Sequence, residues 1–538
     1  MVMMTAGGTQ VPVKVVGSSI FGKHPIISDE RTWNMFISDN WLLNFAGYTE
    51  AVHLEDGVVE GRGLFHSVRG NFLLAVVGSQ VFRIEPNLGF VTLLFTLGSS
   101  SGEVFMDENL FSQIAIVDGI SHGYIYNYTT TAVPAIGPID WDNAGTGAPS
   151  ADITPNYVTY HNNNFLFGNA VTDNSGSRWY IYKSGYTAPA TDPLKLSWVQ
   201  TLVLQTKPDF AKAVVRIPSF GNNVLVLGTT VGEIWTSVAG IQAYQRQSSV
   251  NIDYGVASVS TIAASEDFVA WLGINEKSEP AIMVMSGGQS KRISTDGIDN
   301  LLSRINRPDQ STAMFYRQDG HVFYILTFFD PSDNITLTYD FTMDKFYDLT
   351  DWDFSYFPAR EVVFFNNEIY FLSIKQPSIM HFSTEITTMT PSFGNTYEIP
   401  RIRKCDTYRM PGSERFIVNR FSFTIENGVE QGVFFDFECD GFLIGEVSGG
   451  IIYTEDDIPI LSEEGSCQVY RPRIDVTLSK NGGETYGNAV PYYMHATGHY
   501  KNQPIFNSLG QANQFTVQMR FHGLGRFTVN DGFLEVYQ

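Results

Sequence analysis

One module recurs along most of this chain and restricts its fold more than any other feature. It is a short polar turn, an apolar run of strand length, a second turn, and a strand rich in Tyr, Trp or Phe. It reads RGNFLLAVVGSQVFRI from Arg69, FSQIAIVDGISHGYIYNY from Phe111, HNNNFLFGNAVTDNSGSRWYIYKSG from His161 and FGNNVLVLGTTVGEIWTS from Phe220. It returns as SEDFVAWLGINEKSEPAIMVMSGG from Ser265, DGHVFYILTFFDPSDNITLTYDF from Asp319 and FNNEIYFLSIKQPSIMHFS from Phe365. Successive starts lie roughly 40–60 residues apart, the spacing of propeller blades. A small antiparallel sheet cannot bury both faces alone. Radial packing against like neighbours solves that and leaves few open edges. The seven modules predict an all-β chain with a β-propeller-like domain of about six to seven blades. The competing arrangement is a series of irregular β-sandwiches with coincident spacing, since no strict Trp-Asp motif repeats.

At 538 residues the chain exceeds one ordinary core. Its apolar fraction is 43% and its aromatic fraction 14%, which favours strands over helices. Only 17% of residues are charged, a composition that suits a surface covered by other subunits. The net charge of −22 argues against a nucleic-acid-gripping surface. Cys405, Cys439 and Cys467 fit no zinc or CxxC spacing, so reduced thiols in a reducing compartment are expected. The opening MVMMTAGGTQVPV lacks a leader pattern, and the longest apolar runs are strand-length, so no membrane span is expected.

Three regions are expected. Residues 1–60 form an N-terminal segment packing on the β domains, and 61–390 form the propeller-like domain. Residues 391–538 form a C-terminal β-sandwich-like domain with longer strands. Residues 132–155 and 387–400 read as loop and linker. GIDNLLSRIN from Gly297 has a helical period, with Asp296 or Asp299 as cap, and is expected between blades.

Ser479, Asn481, Gly482, Gly483, Thr485 and Tyr486 resemble the Asp-box turn of sialidases and related propellers, with Asn in the Asp place and Tyr in the Trp place. In such a turn a side chain caps the hairpin backbone, so the motif is structural even in enzymes. A sialidase would also need three converging arginines, a Tyr nucleophile and a Glu. Arg69, Arg83, Arg178 and Arg216 are scattered singly through the blades. His495 and His499 have an i, i+4 spacing, but Gly498 interrupts and no Glu follows His495. Glu455-Asp456-Asp457 and Glu463-Glu464 lack calcium-loop spacing. Asp140-Trp-Asp142 and Asp351-Trp-Asp353 read as turn or interface residues, and Gly287-Gly288 has no following Lys. No catalytic, metal-binding or cofactor-binding residue is assigned, and no cofactor is expected. Arg401, Arg403, Lys404 and Arg409 form a basic cluster that reads as a solvated face or as a contact for an acidic partner.

Several collinear segments resemble the packaged-DNA stabilisation family of short-tailed, podovirus-like phages, also called the tail hub or tail nozzle. Arg31-Thr-Trp-Asn-Met-Phe-Ile through Trp41-Leu-Leu-Asn-Phe-Ala-Gly-Tyr-Thr is similar to its opening. EDFVAWLGINEKSEPAIMVMSGGQSKRISTDGIDNLL is similar to its blade that runs into a short helix. The Gly-Gly-x-Thr-Tyr-Gly turn from Gly482 and the strands around GLGRF are similar to its closing module. The acidic balance, the 132–155 loop and the scarcity of basic residues near the end depart from the pattern.

The resemblance implies a non-enzymatic virion protein, made and assembled in the bacterial host cytoplasm. It would form a homohexamer below the portal and its adaptor (head-to-tail connector) ring, with residues 391–538 as a possible adaptor-facing platform. It would complete the head, retain packaged double-stranded DNA without reading its sequence, form the channel for DNA ejection, and carry a tail needle or plug and tail fibres or spikes. The alternatives are a glycan- or receptor-binding propeller and a sialidase-like hydrolase.

Overall fold

The computed structural model describes residues 8–537 apart from 23–28, 56–59, 130–134, 169–176, 185–191, 218–219, 239–242, 393, 413–414, 427–435, 440–466, 471, 495–502 and 524. Seven antiparallel sheets follow one another around a ring. Blade one holds Gly61–Ser67, Phe72–Val77, Gln80–Ile84 and Val91–Thr96 from the axis outward. Blade two holds Phe105–Glu108, Gln113–Val117, Tyr124–Asn127 and Ala135–Pro138. Blade three holds Tyr157–His161, Asn164–Gly168, Arg178–Ser184 and Lys195–Val203, with Asp140–Asp142 added in parallel at its rim. Blade four holds Ala213–Arg216, Asn223–Leu227, Gly232–Ser237 and Tyr244–Arg246. In blade five, Gly255–Val256 and Ala263–Ala264 both pair with Val269–Ile274, followed by Pro280–Ser286 and Gln289–Arg292. Blade six holds Ser311–Gln318, His321–Phe328, Ile335–Asp340 and Lys345–Asp348. Blade seven opens with Ala359–Phe365, Glu368–Ser373 and Ser378–Ser383.

Each recurring module is the second and third strand of one blade. The turn entering the second strand carries left-handed residues: Asn71 (φ 53°), Asn162 and Asn163 (47° and 65°), Asp319 and Gly320 (49° and 83°), Asn366 and Asn367 (52° and 65°). Asn, Asp and Gly tolerate that conformation, and such turns match the twist of a hairpin. Second strands are sandwiched between neighbouring blades, so they read as unbroken apolar runs. All six residues of Phe72–Val77 are buried.

Each blade interface has its own apolar cluster. Leu74 and Ile116 belong to the interface of blades one and two, Val117 and Phe167 to two and three, and Trp179 and Trp235 to three and four. The two indoles meet edge to face, with centroids 5.5 Å apart. Leu225 and Trp271 join blades four and five, Leu272 and Tyr324 five and six, Phe323 and Phe371 six and seven. Leu73 and Leu372 join seven and one, which closes the circle.

Closure uses the N-terminal region. Gly47–His53 pairs antiparallel with Ser378–Ser383 as the fourth strand of blade seven. Joining segments roughly 330 residues apart costs about 5 kcal/mol in chain entropy. Burial of Tyr48 and Val52 and the paired backbone offset it. Tyr48 donates its hydroxyl proton to buried Asp351 at 2.5 Å.

The remaining strands form two further sheets and a separate two-stranded pair, Asp436–Cys439 with Cys467–Tyr470. One is ordered Met35–Ser38, Trp41–Asn44, Val529–Tyr537, Phe416–Ile425, Ile505–Ala512, with Thr9–Val13 also on Val529–Tyr537. The other is ordered Asp29–Trp33, Arg401–Lys404, Thr516–His522, Arg473–Ser479, Val490–Tyr493. Trp33 pairs in parallel with Asp348, so this second sheet continues blade six. Arg31 reinforces the join with two hydrogen bonds to Asp348, at 2.8 and 2.5 Å. Phe36, Phe323, Phe421 and Met519 lie in one core, which ties the C-terminal module to blades six and seven.

Three expectations change. Part of 132–155 is strand, in Ala135–Pro138 and Asp140–Asp142. The stretch 387–400 holds Thr388–Ser392 and Asn395–Glu398, which extend blade seven beyond Gly47–His53. Rim strands are specified by an available edge rather than by their own apolar pattern. The helix Asp296–Leu302 lies between blades five and six, but Thr295 caps it, its hydroxyl accepting the Ile298 N–H. Gly297 is obligatory there, since a Cβ would stand 1.5 Å from the Phe21 carbonyl oxygen.

Candidate functional site

The inner strands bring ionisable residues together at the propeller axis. A cavity of about 190 Å³ there is lined by Arg62, Glu103, Ser260, Thr312, Arg360 and Glu361, among others. Glu103 pairs with Arg360 across 2.6 Å, yet burial keeps its carboxyl above the ordinary range. Burial pushes Glu361 up to about 7, opposed by the Leu64 N–H that it accepts at 2.6 Å and assisted by the Glu103 charge. Burial also raises Asp107, although it accepts the Tyr160 N–H at 2.6 Å.

These carboxylates act as rivets between blades. Glu361 of blade seven holds the backbone of blade one, and Asp107 of blade two holds blade three. Asp209, in the connection between blades three and four, receives the N–H groups of Thr230 and Val231. Each satisfies backbone donors that the strand ladders leave open, Glu361 and Asp107 on inner strands and Asp209 at the turn between the second and third strands of blade four. Arg62 does the same work with a cation. It is fully buried and spends five N–H donors on the Gly102, Gly78, Ser99 and Ser101 carbonyls and the Ser99 hydroxyl, at 2.6–3.0 Å. Ser99 in turn donates to Asp118.

Arg69 donates to the Leu110 carbonyl, while Arg83 lies over the Phe72 ring and donates to Tyr126. Arg178 and Arg216 belong to blades three and four. Among the described residues, no group of three His, Cys, Asp or Glu side chains is placed to hold a metal ion. Nor, among the described residues, is any helix long and apolar enough to cross a membrane. His495, His499, Glu455-Asp456-Asp457 and Glu463-Glu464 lie outside the described residues.

The turn at Ser479 is a hairpin clasp. Ser479 Oγ donates to Asn481 Oδ1 at 2.8 Å and accepts the Gly483 N–H at 2.8 Å. Asn481 Oδ1 accepts the Thr485 N–H at 3.1 Å, and its Nδ2 donates to Thr485 Oγ1 at 3.0 Å. Gly482 and Gly483 are left-handed, at 77° and 91°. Tyr486 is half-buried against the turn, its hydroxyl 3.3 Å from where a Gly483 Cβ would stand.

The basic cluster does not form a common surface. Arg401 and Arg403 are 1% and 0% exposed. Their strand is central in its sheet, and residues two apart share a face, so both point into the core. Arg403 pairs with buried Glu30, donates to the Val15 carbonyl at 2.7 Å and to Thr32 Oγ1 at 3.1 Å, and so staples the N-terminal residues onto the module. Arg401 donates to the Gly523 and Thr387 carbonyls, and burial lowers its guanidinium to about 10. Lys404 is half-buried and Arg409 exposed. The i, i+2 arginine spacing in a strand was the available signal for burial. The axial rivets had none, because their partners are distant in sequence.

Asp351-Trp352-Asp353 lies in a cleft of about 230 Å³ beside Lys375, Gln376, Asn395 and Tyr397. Trp352 stacks flat on Tyr397, with ring centroids 3.8 Å apart and planes 9° from parallel. Asp140 is exposed, while buried Trp141 donates its indole N–H to the His122 carbonyl.

A closed ring of blades, riveted at its axis and fused to a second β module, defines a protein of the β-propeller class. Residues 30–387 match the model of the family described as Bacteriophage P22 Gp10, beta-propeller. The chain belongs to that family, and it is a structural protein of the phage tail. No curated protein matches it. Among solved structures, the extracellular domain of the putative one component system BT4673 from B. thetaiotaomicron is 10% identical at a TM-score of 0.39, over 75% of this chain and 45% of that one. The present chain thus spans under half of that structure. The computationally designed Ika8 protein is 11% identical at a TM-score of 0.37, over 62% of this chain and 100% of that one. Likenesses at this level carry no functional argument.

Proposed function

We propose that this chain is the nozzle or hub subunit of a short phage tail. Six copies form a ring below the portal and its adaptor ring, retain packaged DNA and line the channel for its ejection. The observation that carries this reading is the family match over residues 30–387, joined to a fold built for rigidity. A strand from residues 47–53 closes the ring, and the second sheet of the C-terminal module continues blade six. Residues 391–538, with the N-terminal strands laid into them, form the adaptor-facing platform. Residues 61–390, with Gly47–His53 and Asn395–Glu398 added to blade seven, form the propeller, and a needle or plug and fibres or spikes attach distally.

The net charge of −22 per chain supports a channel that repels the phosphate backbone and lets DNA slide without sequence-specific contact. Adding purified chain to DNA-filled, adaptor-loaded heads tests the reading. The expected result is a ring of about six times 60.1 kDa and protection of head DNA from nuclease. Heads that bind no chain, or leak DNA equally with and without it, overturn it.

A second reading is favoured by the Trp352–Tyr397 cleft, where a stacked aromatic wall meets carboxylate and amide groups suited to a neutral sugar. Saturation-transfer NMR with neutral methyl hexosides separates the two, since a nozzle alone gives no transfer.

A further inference from the structure

Blades seven, one and two crowd large apolar side chains onto one end of the ring. Val68 is 78% exposed, Phe90 66%, Leu93 50%, Leu110 65%, Phe111 37% and Phe364 61%. Except for Leu93 they sit in or beside turns at the same end of neighbouring blades. Hydrogen bonds tie these turns together. Arg69 donates to the Leu110 carbonyl, joining blade one to blade two, and Asn366 donates to the Pro86 carbonyl, joining blade seven to blade one. At about 150–200 Å² per fully exposed side chain, the six present roughly 600 Å² of apolar surface. That is the upper limit for an ordinary monomer, and it approaches the ~800 Å² that each partner contributes to a standard interface.

Two observations identify the occupant. Residues 86–102, PNLGFVTLLFTLGSSSG, hold no charged side chain, in a chain whose net charge is −22. Identical acidic chains repel, so a contact between copies forms where that repulsion is least. Val91–Thr96 is also the outermost strand of blade one. Some other rim strands carry charges that guard their edges, as in Gln289–Arg292 (QSKR) and Asn395–Glu398 (NTYE), while that of blade two, Ala135–Pro138 (AIGP), is short. The patch occupies one sector of the propeller. A lateral neighbour covers a sector, whereas a coaxial partner ring covers a whole face.

We propose that this sector is the surface through which one copy of the chain docks on the next. The inference rests on the ring reading above and assigns its contact. The test compares wild type with Phe90→Glu/Leu93→Glu and with Val68→Glu, using light scattering and native mass spectrometry of the full chain over a concentration series. Phe210→Glu, at an exposed site between blades three and four, is the control. All four positions are exposed, so unchanged melting temperatures are expected. The sector variants are expected to need at least tenfold more protein for half-assembly, and the control to assemble as wild type does. Sector variants that assemble like wild type overturn the proposal and leave the nozzle reading standing. A wild type that stays monomeric also overturns it, while the DNA-retention assay judges the nozzle reading independently.

Discussion

Arg62 offers the sharpest test of how the propeller is held together. Its side chain has no solvent exposure, and its five donors meet four carbonyls and one hydroxyl of the turns at residues 78 and 99–102. The turn at 78 lies within blade one, and residues 99–102 belong to the connection from blade one to blade two. Arg62→Lys keeps the charge but has three donors and a shorter reach, so at least two of the five acceptors lose their partner, and the shorter stem leaves buried Gly78 and Ser99 the hardest to satisfy together. At about 1–3 kcal/mol for each unsatisfied buried group, a loss of about 3 kcal/mol is expected. Arg62→Ala also leaves a cavity and strands the buried Asp118 carboxylate without the cation that balances it through Ser99, so about 4–5 kcal/mol is expected. Both should be read as urea midpoint shifts at constant m, with amide hydrogen exchange across residues 97–104 as the local readout. A loss below about 1 kcal/mol for both variants, with exchange unchanged, refutes the view that this guanidinium is the clasp between the two blades.

The other predictions concern the rivets and the turn. Glu361 is raised to about 7, so between roughly pH 4.5 and 7 the folded chain keeps a proton that the unfolded chain releases. Its contribution to stability therefore falls as pH rises through that window. Glu361→Gln, which keeps an acceptor for the Leu64 N–H, should match wild type near pH 4.5 and exceed it at pH 8 by at most about 3 kcal/mol; equal melting differences at both pH values refute this. Asn481→Asp retains the acceptor for Ser479 and Thr485 and should shift stability by less than about 0.5 kcal/mol, whereas Asn481→Leu should cost about 1–2 kcal/mol in thermal melts. Arg403→Met leaves Glu30 buried without its cation, should cost about 3–5 kcal/mol in urea melts, and should be cleaved faster than wild type at Lys14 in a trypsin time course; equal rates and melts refute the staple.

Much of the ring was legible in the chain because blade formation is local. An Asn, Asp or Gly turn followed by an unbroken apolar run signals a hairpin buried on both faces, and all seven modules became the second and third strands of blades. The Ser479–Tyr486 turn was legible for the same reason, since its capping groups lie within a few residues of one another.

What pattern alone could not decide depends on partners far away in sequence. Residues 47–53 are an unremarkable strand until Ser378–Ser383 offers an edge to close. Thr388–Ser392 looks like linker until Gly47–His53 presents its other edge. The arginines at 401 and 403 resemble a surface cluster until central placement in a sheet turns them inward onto Glu30 and the Gly523 and Thr387 carbonyls. Local turn chemistry and apolar periodicity therefore determined the blades. Ring closure, the axial rivets and the weld to the C-terminal module were decided only in three dimensions, because an edge strand or a buried charge is stable solely where a distant segment completes its hydrogen bonds.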